Sequence, residues 1–299
     1  MAEITYQTHQ LLTVKTRDMQ SKANTRTTGK EQYYTKPGIA SLCSELASEF
    51  IDKDSFVIEP AAGTGEFMKA MKKVGYKKVR GYDIEPKRSN INKRDWLTVD
   101  HIKKPFSVIT NPPFGRMNSL SVDFFKKAAG LEADYIAFLI PVSWRKWSLQ
   151  DRLPGNYHLV LDKDLPNDFL FYGDDVKEEG ENVLKCIFQV WERREEIRPR
   201  HKDLVPNPGL LVSCKPDVAD VKIVQQGWSC GKVETDFDKT KNVNGCNYYK
   251  ASKDTINKLE HLHATNSYSE FMDNSAYVAS ISLLEINSKL IQHGDTIRS

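Results

Sequence analysis

Between residues 55 and 144 the chain alternates short apolar runs with amphipathic segments, and that rhythm narrows the choice of fold more than any other feature. SFVIEP (55–60), KVRGYDIEP (78–86), FSVITNPP (106–113) and DYIAFLIPVSW (134–144) read as strands. GEFMKAMKKV (65–74) places Phe67, Met68, Met71 and Val74 at helical spacing, and SVDFFKKAAG (121–130) is amphipathic and ends on a glycine helix stop. The fourth run is apolar throughout its middle, as a strand covered on both faces must be. Two further strands, NYHLVLD (156–162) and NVLKCIFQVWE (182–192), flank the long segment KDLPNDFLFYGDDVKEEG. Strand–helix alternation predicts an α/β fold with a parallel, doubly wound sheet, closed here by an antiparallel hairpin at its end.

The ends of the chain read differently. Residues 1–30 are polar and are expected to be partly disordered, ordering on binding. The stretch 192–209 is charged and then proline-bearing, as linkers are. This divides the chain into a flexible segment 1–30, a main domain 31–199 and a smaller C-terminal region 200–299. That last region, with 12 basic and 12 acidic residues, holds strand-like pieces such as DVKIVQQGW and a predicted helix in SAYVASISLLEINSKLIQ.

Two turns carry the chemistry. In the first, Glu59-Pro60-Ala61-Ala62-Gly63-Thr64-Gly65-Glu66-Phe67 links a strand to a helix. Glycines there let backbone amides approach a ligand, and the helix start offers further donors. The next strand ends at Asp83, with Glu85 close behind; an acid at that place can accept hydrogen bonds from both hydroxyls of a ribose. Asp95, in KRDWL, is a weaker candidate for an adenine amino group, and a turn residue is its other reading.

The second turn is Asn111-Pro112-Pro113-Phe114, at the end of an apolar strand. An exocyclic aromatic amine is a poor nucleophile because its lone pair is delocalised into the ring. The Asn111 side-chain oxygen and the Pro112 carbonyl can each accept one amine N–H, which turns the lone pair out of the ring plane. Pro113 stiffens the corner because proline fixes φ. Phe114 is a stacking surface for a base, worth roughly 1–3 kcal/mol.

Together these segments resemble the class I amino-methyltransferases, which methylate adenine N6, cytosine N4 or glutamine N5. EPAAGTGEF looks like that family's cofactor motif, Asp83 and Glu85 lie where its ribose-binding acid lies, Asp95 looks like its third cofactor motif, and NPPF looks like its catalytic motif. Upstream, Gln32-Tyr33-Tyr34-Thr35-Lys36-Pro37 is similar to the segment packing over the cofactor's methionine end in DNA adenine methyltransferases. The resemblance implies a Rossmann-like, seven-stranded methyltransferase sheet and S-adenosyl-L-methionine as cofactor. It implies cofactor contacts from Tyr34, Thr35, Glu59, Ala61, Gly63, Gly65, Asp83, Glu85 and Asp95. It implies catalysis at Asn111, Pro112, Pro113 and Phe114, and stacking of a flipped base on Phe114 and on Phe169 or Phe171. Region 200–299 would then be a target-recognition domain.

For the acceptor, Asn at the first catalytic position suggests adenine or glutamine. QYYTKP, the C-terminal region and a stretch from Lys69 to Lys104 with nine Lys and three Arg against four acids favour adenine N6 in DNA. SWRKW (143–147) adds aromatic and basic residues where substrate should enter. Structured RNA is the main alternative, since NPPFG, with Gly115, also resembles RNA adenine-N6 enzymes. A catalytically inactive nucleic-acid-binding partner of the same fold is the reading from another class. Five widely spaced cysteines argue against a zinc site or disulfide framework, and His261 and His263 alone do not make a metal site. No apolar run reaches the length of a membrane span, and the N-terminus lacks a signal peptide's apolar stretch, so an intracellular protein is expected, cytoplasmic or nucleoid-associated.

Overall fold

The computed structural model describes residues 33–166, 171–172, 184–205, 207–274 and 278–296. The segment 1–30 read as partly disordered, Gln32 and Phe169 lie outside the described residues.

In chain order the main domain runs β1 (Tyr34–Thr35), α1 (Pro37–Ala47), β2 (Phe56–Glu59), α2 (Glu66–Val74), β3 (Lys78–Asp83), β4 (Asn92–Lys93), β5 (Phe106–Thr110) and α3 (Ser119–Gly130). It continues with β6 (Tyr135–Pro141), the short α4 (Trp147–Gln150), β7 (Tyr157–Asp164), β8 (Phe171–Tyr172) and β9 (Cys186–Arg193). Seven strands form one sheet in the order β4-β3-β2-β5-β6-β9-β7. β2 through β6 run parallel, and β9 is inserted antiparallel between β6 and β7. This is the Rossmann-like methyltransferase sheet with its reversed final hairpin.

The strands' composition explains the layering. Side chains alternate across a strand, so neighbours enter opposite layers. Val57, Ile109, Ala137 and Leu139 join the core under α1 and α2, with Cys43, Phe67 and Met71. Ile58, Val108, Ile136, Phe138 and Ile140 join the core under α3, with Val122, Phe125, Trp144 and Trp191. All five residues of β5 are buried, the polar Ser107 and Thr110 included, as a central strand covered on both faces requires.

Three features lie beyond the expected pattern. The seventh strand is β4, two exposed residues, Asn92 and Lys93, beside the end of β3. A two-residue ladder pairs Tyr34 with Tyr172 and Thr35 with Phe171, joining the segment before α1 to the final hairpin. The helix expected over 275–292 instead spans Leu283–Thr296, because Ser280 is extended and bridges Gln226.

After α5 (His201–Leu204) come β10 (Val212–Ser213), β11 (Val221–Val224), β12 (Val233–Glu234), β13 (Cys246–Lys250), α6 (Lys253–Ala264), α7 (Ser269–Met272) and α8 (Leu283–Thr296). The strands form a separate antiparallel sheet, β10-β13-β11-β12. Its core includes Val221, Ile223, Tyr249, Leu259, Phe271 and Ile286. This unit is held to the main domain at Lys146 and Trp147. The Trp147 ring stacks on His201 at 4.9 Å and meets Phe271 edge-on at 5.0 Å, and the Lys146 ammonium donates to the carbonyls of Phe271 and Ser280.

Candidate functional site

β2 and β5 are adjacent and parallel, but the chain leaves them in opposite directions: β2 leads outward to β3 and β4, β5 towards β6. At such a switch point the two connections splay apart and leave a crevice beyond the strands' carboxyl ends. Glu59 is the last residue of β2, and Asn111 follows the last residue of β5. Sequence order and sheet order therefore bring the two motifs together.

The turn after β2 is left-handed at Gly63 (φ 46°) and Gly65 (φ 78°). It is tied to the neighbouring strand: Ala62 N–H donates to the Tyr82 carbonyl (2.9 Å), Gly63 N–H to Asp83 Oδ2 (2.7 Å), and Lys87 N–H to the Gly63 carbonyl (3.1 Å). A Cβ on Gly63 would sit 3.0 Å from the ring of Tyr34, so glycine is needed for conformation and for space.

Between this turn and Asn111 lies an open cleft, lined by Tyr33, Tyr34, Thr35, Glu59, Ala61, Ala62, Gly63, Thr64, Glu66, Phe67 and Asn111. Among the described residues, two buried side-chain oxygens in its lining have no hydrogen-bond partner. One is Glu59 Oε2, on a side chain only 2% exposed. Burial pushes the Glu59 carboxyl well above the usual carboxylate range, the negative charges of Asp83 and Glu66 push it further, and a backbone hydrogen bond at Met68 opposes them. The other is Asn111 Oδ1. Asn111 Nδ2 donates to the Tyr33 carbonyl at 2.7 Å. A carbonyl can only accept, so this bond fixes which end of the amide is nitrogen and leaves the oxygen as the unpartnered end.

The roof over Asn111 is aromatic. The Tyr33 and Phe114 rings stack at 5.8 Å and 28°, and Phe171 meets them edge-on at 5.7 and 6.2 Å. Phe114 and Phe171 are both buried, at 6% and 7% exposure. Tyr33 thus covers Phe114, the expected stacking surface, so a base reaches that ring only once Tyr33 has moved. The β1–β8 ladder is the reason, because it brings the Tyr33 segment and the hairpin over the Asn-Pro-Pro-Phe turn. Pro112 is buried and Pro113 half-buried beneath them.

The other expected residues divide between the cleft wall and its surroundings. Thr35 and Tyr34 line the cleft, as do Glu59, Ala61 and Gly63; Gly65, Asp83, Glu85, Asp95, Phe114 and Phe171 do not. The Asp83 carboxylate accepts from Gly63 N–H and Glu85 N–H, both at 2.7 Å. Glu85 and Asp95 are exposed, and Asp95 accepts from Leu97 N–H at 2.9 Å, capping a short 3-10 turn. Ala62, Thr64, Glu66 and Phe67, which lie inside the glycine-turn motif but outside the expected set of contacts, also line the cleft.

One surface expectation is corrected. SWRKW is not a free basic rim: Trp144 is fully buried, Arg145 pairs with Asp162 and Asp164, and Lys146 and Trp147 hold the C-terminal unit. Within the Lys69–Lys104 stretch, Lys69 pairs with Glu66, Lys77 with Asp54, Arg94 with Asp100 and Lys104 with Glu132. Lys87 and Arg88 are exposed beside the glycine turn. Among the described residues no group of three or more His, Cys, Asp or Glu could hold a metal ion, and no helix is long and apolar enough to cross a membrane.

No protein-family model and no curated protein matches the chain. Among solved structures, a candidate RNA methyltransferase from Pyrococcus horikoshii is 15% identical, the match covering 57% of this chain and 91% of that one at a TM-score of 0.42. A candidate class I S-adenosylmethionine-dependent methyltransferase from Listeria monocytogenes is also 15% identical, with 60% and 66% covered and a TM-score of 0.41. The type IIG restriction endonuclease BpuSI is 16% identical, with 57% of this chain and 26% of that one covered and a TM-score of 0.40. The fold assignment rests on the strand order itself.

Proposed function

We propose that this protein transfers a methyl group from S-adenosyl-L-methionine to an exocyclic amine, with adenine N6 in DNA as the acceptor. One observation carries the reading: a buried, unpartnered Asn111 Oδ1 in the same cleft as the glycine turn, its amide orientation fixed by the Tyr33 carbonyl.

The residues present fit the cofactor. Glu59 offers a buried carboxyl oxygen without a partner, which suits the ammonium of an amino-acid moiety. Asp83 uses two acceptor positions on Gly63 and Glu85 N–H, and a carboxylate has about four, so it can also accept from ribose hydroxyls. Glu85 and Asp95, at the exposed margin, are the candidates for the nucleoside's outer edge. Tyr34, Thr35, Ala61 and Gly65 complete the wall and turn. When bound, the cofactor supplies an electrophilic methyl on a sulfonium.

The chain's own residues have the remaining tasks. Asn111 Oδ1 accepts one amine N–H and the Pro112 carbonyl the other, so the nitrogen lone pair points out of the ring plane. Pro113 stiffens that corner. With the cofactor bound, the methyl would leave the sulfonium sulfur as a neutral thioether as the N–C bond formed, and both acceptors would tighten on the nitrogen as it became cationic. The surplus proton then leaves to water, which requires no shifted side-chain pKa. For a base to stack on Phe114 or Phe171, Tyr33 must swing aside. The lost Tyr33 stack cancels much of the stacking the base gains, so the few kcal/mol of extruding a base must be repaid mainly by the hydrogen bonds at Asn111 and Pro112.

DNA is favoured by the exposed Lys87, Arg88 and Arg116 on the loops that follow β3 and β5, and by the second unit docked at Lys146 and Trp147. Structured RNA is the second reading, favoured by that unit's balanced charge. Tritium transfer from labelled cofactor to mixed DNA, RNA and protein separates the readings. Label in DNA as N6-methyladenine is expected. Label only in RNA selects the second reading, and no transfer to any acceptor selects an inactive binding partner.

A further inference from the structure

The loop that follows the catalytic turn holds a side chain the mechanism above does not use. Met117 lies three residues after Phe114 and is 82% exposed. Its backbone is left-handed (φ 53°, ψ 39°), and so is that of Asn118 (φ 60°, ψ 20°). Asparagine tolerates that region, but for methionine it costs about 1–2 kcal/mol. Such a conformation persists only where the surroundings impose it, and here they do. Asn118 Nδ2 donates to Ser143 Oγ (2.8 Å), and Ser121 Oγ donates to the Asn118 carbonyl (3.0 Å). Ser121 N–H donates to the Phe114 carbonyl (3.3 Å), and the fully buried Trp144 donates its indole N–H to Ser121 Oγ (3.2 Å). Gly115 (φ 71°) turns so tightly that a Cβ there would come within 2.6 Å of Leu120 N. Met117 thus stands on a rigid pedestal built against α3 and the end of β6.

Met117 bears this strain and covers almost nothing in the free protein. Its surroundings are polar: Arg116 and Ser119 are exposed and Asn118 is half-buried. A protein or membrane interface needs a contiguous apolar patch, and a lone tip among polar residues does not provide one. A single apolar side chain does suit a narrow apolar slot with negative charge at its edge. A duplex base step provides that slot, and methionine is among the side chains that enter one. Arg116 stands next to it for the phosphate.

We infer that Met117 is a wedge that enters the base stack of duplex DNA and holds open the gap left by the extruded adenine. The inference rests on the adenine-N6 reading. Arg116 anchors the strand, and Asn118 fixes the wedge relative to Asn111 through the Phe114–Ser121 bond.

The test compares kcat/KM of the wild type, Met117→Ala and Met117→Leu on two duplexes. In one the target adenine is paired with thymine; in the other it faces an abasic site. Both variants keep the backbone loop, and the side chain is exposed, so folding is not at stake. The expected result is a loss of roughly tenfold or more for Met117→Ala on the paired duplex, where extrusion must be driven. On the abasic duplex it stays within about twofold of wild type, and Met117→Leu keeps most activity on both. With 2-aminopurine at the target, the fluorescence rise on binding should appear with wild type and shrink with Met117→Ala. Equal losses on the two duplexes would overturn the wedge and make Met117 a general contact; no loss on either would also overturn it. Failure of the wild type to methylate either duplex would instead sink the DNA reading beneath it.

Discussion

Replacing Glu59 by Gln probes the cofactor end of the cleft, and the structure sets both the sign and the size of the effects. The Glu59 carboxyl is 2% exposed and has one oxygen without a partner. Burial, with Asp83 and Glu66 nearby, holds its pKa well above its ordinary 4.5. The folded state therefore keeps a proton that the unfolded chain has lost. That contribution is fully present below pH 4.5 and fades as pH rises towards the folded value. Glu59→Gln removes the dependence, so the variant should be more stable than wild type at neutral pH, the gap closing below the ordinary value. Cofactor binding should move the other way. A cationic ammonium at Glu59 favours the carboxylate, so the wild type should release a proton on binding, between its free and bound pKa values. Gln loses a charge-assisted hydrogen bond of about 1.5–3 kcal/mol, a roughly 10- to 150-fold weaker affinity. Titration calorimetry with S-adenosylhomocysteine in two buffers of different ionisation enthalpy reads affinity and proton release together. Unchanged affinity in the variant, or a wild-type heat that does not depend on buffer, would refute the assignment.

Two further substitutions test the frame around that carboxyl. Gly63→Ala forces a left-handed alanine, about 1–2 kcal/mol, and drives a Cβ to 3.0 Å from the Tyr34 ring; thermal unfolding should fall by several degrees and cofactor affinity at least fivefold, and wild-type values in both would mean the turn relaxes freely. Asp83→Ala strands the N–H groups of Gly63 and Glu85 and removes the ribose acceptor; affinity should fall by about 1.5–3 kcal/mol, and an unchanged value by calorimetry would move the ribose role to Glu85.

The sheet was legible because its strands are buried: runs such as FVIE and FSVIT have few alternatives, and the glycines and prolines after them mark where strands stop. What escaped depended on partners distant in sequence. Asn92 and Lys93 carry no strand signature, and they pair only because β3 ends alongside. Nothing local tells Thr35 that Phe171 will lie opposite, so Tyr33 covering Phe114 could not be foreseen. SWRKW was misread for the same reason. Its composition suits a nucleic-acid rim, but Asp162 and Asp164 face Arg145, and Phe271 and the Ser280 carbonyl receive Trp147 and Lys146. The meeting of Glu59, Gly63 and Asn111 in one cleft did follow from the sequence, because a strand order that reverses between β2 and β5 leaves their ends side by side.

The central claim is that Asn111 Oδ1 acts on the amine and not on the cofactor. The most direct measurement is single-turnover formation of N6-methyladenine in DNA by the wild type and by Asn111→Ala, with cofactor affinity measured on the same preparations. Losing an acceptor that strengthens in the transition state should lower the methylation rate about 10²- to 10³-fold and leave cofactor affinity within about twofold. A variant that methylates at the wild-type rate, or one whose cofactor affinity falls as far as its rate, would contradict the account.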